Sequence, residues 1–172
     1  MPDKKKVRRA CAIVGELVLI ASALDHQLNH ICISVLALTQ SPMLEPVVAS
    51  LDSARKVEIL KAYASKITAI EWKKALKAQA EAVEKVNRSR NIAAHSVMSF
   101  ENGEPVLTSP AAAKLFKSID LATKTAEKIR FTELEEAIKG AEAALGSGMK
   151  LLENFSRVEA ERKRRKKARK PE

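Results

Sequence analysis

Turns are hard to place in this sequence, because it holds only five glycines and six prolines in 172 residues. Aromatic side chains are equally scarce, at 3%. Ala, Leu, Lys and Glu dominate instead, and these side chains lose least on entering a helix. The shortages weigh against a strand-rich fold. They predict an all-α chain, an up-and-down bundle of about five helices.

Cysteine is rare as well. Cys11 and Cys32 stand alone, with no CxxC partner, which disfavours a disulfide framework or a thiolate metal site. Both are expected as buried free thiols in a reducing cytosol. No metal cluster and no cofactor motif is legible.

Long apolar runs are missing too. Lys4 to Arg9, the apolar stretch behind them and Ala21-Ser22-Ala23 imitate a secretory signal. Glu16 interrupts the would-be signal core, however, and Asp25-His26 closes the run before it could span a bilayer. The expectation is a core helix of a cytoplasmic protein with no membrane span. The hydrophobic share of 46% excludes a disordered composition.

Positive charge is in excess, at a net +10, but it is unevenly placed. Residues 1–9 carry five Lys/Arg against one Asp, and 162–172 carry eight against one Glu. The body between them is close to neutral, and no Lys or Arg occurs from Ala10 to Ala54. An acidic partner such as RNA, DNA or anionic lipid would therefore meet the ends first, although a basic tail also serves simply as a solubiliser. Residues 1–161 read as a single helical domain and 162–172 as a basic C-terminal extension.

Helical spacing is clear along most of the body. Ile13, Leu17, Ile20, Leu24, Leu28, Ile31, Val35 and Leu38 advance by three or four. With Val14, Val18, Leu19, Ala21 and Ala23 off that stripe, the first helix is apolar nearly all round. It is expected to be buried on two sides, in a bundle or at an oligomer interface. Asp52 or Ser53 caps a helix to about Ile67, with Val57, Leu60, Ala64 and Ile67 inward. Another spans about Ile70 to His95, with Trp72, Leu76, Ala80, Val83, Val86 and Ala94 inward. Asn102-Gly103 predicts a hairpin or ordered loop near 97–109. Ser109-Pro110 opens a further helix over Ala111 to Ala122. Thr132 to Glu135 reads as a capping box for the last one, which Gly146 and Gly148 are placed to bend.

The chemistry concentrates at Arg90-Asn91-Ile92-Ala93-Ala94-His95. Asn91 and His95 are four apart and share a helix face, while Arg90 lies about 140° round from His95 and needs its length to reach. Guanidinium binds phosphate through two parallel bonds and stabilises charge building at phosphorus. Imidazole exchanges protons near neutral pH, and an amide orients either neighbour. Two plainer readings stand beside this one. His95 suits the negative end of a helix dipole, and Arg90 continues a solvated basic face with Lys85 and Arg88.

The pattern R-N-x-x-A-H near the end of a long helix, preceded by two amphipathic helices, resembles the HEPN superfamily of helical-bundle ribonucleases. The family motif is an Arg, commonly followed by a polar residue such as Asn, then a His four to six residues after the Arg. The Arg55-Lys56-Val57 opening of the second helix is also similar, and the likeness extends over about residues 10 to 155. It implies a metal-independent endoribonuclease that cuts single-stranded or looped RNA, whose flexible backbone allows in-line attack. Arg90, Asn91 and His95 would be its catalytic residues, in a composite site at a homodimer interface. Family members serve in toxin–antitoxin systems and phage defence, which implies an antitoxin or other protein inhibitor as a partner. The alternative is a catalytically inactive HEPN-like dimer that binds RNA, nucleotide or protein. A generic helical interaction module whose basic tail alone contacts nucleic acid or membrane is a third reading.

Other candidates are weaker. Asp25, His26, Asn29 and His30 make a polar strip, expected to be a cleft wall or solvated face. His26 and His30 have the spacing of a two-histidine metal site, but no Glu ligand or zinc motif accompanies them in sequence. Trp72 reads as core rather than a base-stacking platform. Ser22 and Ser96 lack the partners of a nucleophile.

Overall fold

The computed structural model describes residues 4–36, 44–108 and 128–168. Its elements are α1 (Lys4–Val35), α2 (Leu44–Ala49), α3 (Ser53–Lys66), α4 (Ile70–His95), β1 (Val97–Glu101), β2 (Glu104–Thr108), β3 (Lys128–Arg130) and α5 (Phe131–Ala168). Helix makes up 83% of the described residues, with one small sheet inserted. The mostly all-α expectation and its hairpin insertion hold. Leu38 and the expected helix over 111–122 lie outside the described residues. No described helix is long and apolar enough to cross a membrane.

The chain divides into two compact units, residues 1–22 with 85–142, and 23–84 with 143–172. In the first, β1 and β2 form an antiparallel hairpin in which Glu101 opposes Glu104. Asn102 and Gly103 sit at φ 53° and 78°, the left-handed pair that a two-residue hairpin turn requires. The sheet has a third strand that the sequence pattern missed: β3 pairs antiparallel with β2, Ile129 opposite Leu107. Both of those residues are buried, together with Val106. Ala10, Ile13, Leu17 and Ala21 of α1, Val86 and Ala93 of α4, and Leu134, Ala137, Ile138 and Ala141 of α5 are also buried in this unit.

Because β3 runs directly into α5, the helix starts two residues earlier than the Thr132 box implies. Glu133 reaches back to accept a bond from the Arg130 amide at 3.2 Å, so it does the capping while Thr132 falls inside the helix.

The second unit is built from helix-on-helix contacts. Cys32 Sγ on α1 donates to the Lys56 carbonyl on α3 at 3.8 Å. Gln27 on α1 and Gln79 on α4 both donate to carbonyls of α5, those of Leu145 and Ala144, at 2.9 and 3.1 Å. Trp72 packs on Phe155, ring centres 4.8 Å apart. The pairs Trp72–Phe155 and Gln79–Ala144 make α4 and α5 antiparallel within this unit. Trp72 is thus a half-buried packing residue, as expected. Asp52 is the α3 N-cap, its carboxylate accepting from the Arg55 amide at 2.8 Å.

Three details depart from the sequence reading. Ala93, not Ala94, is the buried alanine near the α4 terminus. Gly146 and Gly148 do not interrupt α5, which is continuous; a Cβ on Gly148 would fall on the carboxamide of Gln27. Cys11 is exposed, and only Cys32 is buried. Cys11, Val18 and Leu19 are thus exposed on a helix that reads apolar nearly all round.

Candidate functional site

Arg90, Asn91 and His95 fall in the last turn and a half of α4, within the first unit. The helix forms there because Val86 and Ala93 anchor its inner face, at 2% and 6% exposure. Asn91 and His95 are exposed and Arg90 is half-buried. The difference follows from helix periodicity, which turns Arg90 away from the face that Asn91 and His95 share. Among the described residues, none of the three has its side chain in a hydrogen bond or an ion pair. Ser96, next in the chain, has a buried hydroxyl without a hydrogen-bond partner among the described residues. Ser22 donates to the Val18 carbonyl at 2.9 Å, a bond within its own helix. Neither serine is activated by a neighbouring base.

A helix C-terminus presents unpaired carbonyls and a partial negative charge. That field favours cations such as Arg90, and a phosphate would have to be held by the side chains themselves. The stretch is basic, with Arg88 and Lys85 about one and two turns before Asn91.

A second polar group lies in the other unit, on the strip of α1. Asp25 accepts from both Ser53 Oγ and Lys56 Nζ of α3, the latter at 2.7 Å. Asn29 is buried, so the strip is only partly solvated. His26 and His30 meet edge to face, ring centres 4.9 Å apart at 86°. Glu45 of α2 comes within 3.7 Å of His30 Nε2. The carboxylate that the sequence did not supply next to the two histidines is therefore brought in by the fold. Fifteen residues separate His30 from Glu45, beyond any local motif. The pairing of Asp25 with Lys56 was missed for the same reason.

The basic C-terminal stretch continues α5 as far as Ala168. Arg162 to Arg165 and Lys167 are exposed along it, with Lys163 paired to Glu159 at 2.7 Å. No protein-family model matches this chain, and neither a curated protein nor a solved structure does.

Proposed function

We propose that this chain is a HEPN-like, metal-independent endoribonuclease, a toxin or phage-defence component acting as a cytoplasmic homodimer on single-stranded or looped RNA. The observation that carries the reading is the state of Arg90, Asn91 and His95. They occupy one helix end, two of them exposed, and none has its side chain hydrogen-bonded or ion-paired to another described residue.

In this mechanism His95 assists attack of a ribose 2′-hydroxyl on the adjacent phosphorus, or donates a proton to the departing 5′-oxygen. The new bond joins the 2′-oxygen to phosphorus as the bond to the 5′-oxygen breaks. The products carry a cyclic phosphate and a 5′-hydroxyl. Arg90 binds the phosphate and stabilises its developing charge, and Asn91 orients. One motif per chain makes a shared cleft between two copies the active form. Leu19 and Val18 of α1, 73% and 37% exposed, supply apolar surface for such a self-complementary contact.

The test is incubation with unstructured RNA in excess chelator, beside Arg90→Ala and His95→Ala. The proposal expects chelator-resistant cleavage, cyclic-phosphate ends, and loss of cutting by two or more orders of magnitude in each variant, about the size of a general acid–base or charge-stabilising contribution. Intact RNA with the wild type, or equal cutting by both variants, defeats it. RNA binding without cutting would instead favour the inactive HEPN-like module.

A further inference from the structure

We infer that His26, His30 and Glu45 form a binding site for a zinc-class divalent ion, with three protein ligands and a fourth position open to water. The site lies wholly within the second unit and rests on no part of the ribonuclease proposal.

The geometry comes from two elements. His26 and His30 are one turn apart on α1, so their rings rise from the same face. Their Nε2 atoms are 3.4 Å from each other. Glu45, in the first turn of α2, brings a carboxylate oxygen within 3.7 Å of His30 Nε2. The three donor atoms all lie within 4.8 Å of one another. A tetrahedral ion with bonds of about 2.0–2.1 Å holds its ligand atoms roughly 3.3–3.4 Å apart. The His–His separation already has that value; the Glu45 carboxylate must close by a few tenths of an ångström on His30 and by up to about 1.4 Å on His26, a movement within reach of an exposed glutamate side chain.

The chemistry of the donor set points the same way. Two imidazole nitrogens face each other across a short gap. If both carry lone pairs they repel, and if both carry protons they repel; one shared proton leaves only a long hydrogen bond. A cation satisfies both lone pairs and the carboxylate together. Two nitrogens and one oxygen suit Zn2+ or Co2+, whereas Mg2+ and Ca2+ call for oxygen ligands throughout.

The surroundings leave the position available. Lys56, the cation buried beside this strip, is committed to Asp25 at 2.7 Å and has no exposed surface. No Lys or Arg occurs between Ala10 and Ala54 to compete for Glu45 along α1 or α2. The side chains of His30 and Glu45 are 44% and 48% exposed, so an ion in solution reaches them. An ion there would also staple α2 to α1. That helix has six residues and one buried side chain, Val48, too little to hold it by packing alone.

Titration of the chelator-stripped full chain with Co2+ and Zn2+ tests the site, in a Cys11→Ser background that removes the exposed thiol. The expected result is one ion per chain and the visible absorption of a tetrahedral Co2+ complex, bleached by Zn2+. His26→Gln and His30→Gln should each weaken binding roughly a hundredfold and Glu45→Gln roughly tenfold. His95→Gln, which changes the one other histidine in the chain, should leave it unchanged. Helicity by circular dichroism checks that each variant is folded. No binding by the unsubstituted site below about 0.1 mM overturns the inference, as does equal binding by folded His26→Gln and His30→Gln.

Discussion

Lys56 has no solvent exposure, and its ammonium lies 2.7 Å from the Oδ2 of Asp25, whose other oxygen accepts from Ser53. This ion pair joins α1 to α3 at the α3 N-terminus. Removing one partner of a buried pair leaves a charge that water cannot reach, which costs about 3–5 kcal/mol. Asp25 keeps 34% of its side chain exposed, so some solvent screening remains. Asp25→Asn is therefore expected to destabilise by about 3 kcal/mol, the low end of that range. Adding Lys56→Met should recover most of the loss, because the uncompensated charge goes with it. Urea unfolding of the three proteins checks this, and a double variant no more stable than Asp25→Asn would refute it.

Gly148 gives α5 room for Gln27, whose amide donates to the Leu145 carbonyl at 2.9 Å. A methyl at 148 would displace that carboxamide and break its bond, an overpacking cost of about 1–3 kcal/mol. Ala is otherwise the better helix residue by about 1 kcal/mol. Gly148→Ala should thus destabilise the native chain but become neutral or stabilising when Gln27 is already Ala. Thermal unfolding of the four members of this cycle measures the coupling, and an effect of Gly148→Ala independent of residue 27 would count against the contact.

The two cysteines should behave differently. Burial pushes the Cys32 thiol up to about 11 from 9.0; Lys56 pulls it back in part and Asp25 adds to the rise. The native state therefore holds this proton after the unfolded chain has released it. Since stability falls where the folded state binds more protons, the Cys32 contribution is full below about pH 9 and lost as pH rises to about 11. Cys32→Ala should lose less stability than wild type across that window. A thiol reagent at neutral pH should titrate one fast group per native chain, Cys11, and two once unfolded. Two fast thiols in the native chain would overturn the assignment.

Much of this architecture can be read from spacing. The stripe from Ile13 to Val35, the Asp52 cap and the Asn102-Gly103 turn are local signals, each decided within a few residues. β3 is three residues long, and only its pairing with β2 makes it a strand. The Thr132 capping box fails because that pairing carries the chain into α5 before Thr132 is reached. The site divides in the same manner. Arg90, Asn91 and His95 share six consecutive residues, so their co-location was legible. Asp25 with Lys56 and His30 with Glu45 are joined by folding alone, and half of each pair stays silent in the sequence.

The C-terminal cations bear on RNA through binding rather than chemistry. Residues 162–172 carry eight Lys/Arg and follow Phe155 and Val158, the last half-buried side chains of α5 among those described. The described side chains among them are exposed, so deleting the stretch removes charge without opening the described packing of the helix. Each phosphate contact on a single strand contributes about −0.7 to the slope of log affinity against log salt, because bound counterions are released. The truncated chain should bind RNA more weakly at low salt, with a shallower slope, and still cut at saturating protein. Binding measured across a salt series, beside cleavage at saturation, separates the two contributions. An unchanged slope would mean that the tail does not touch RNA. Complete loss of cutting at saturation would place the activity in the tail and not at His95.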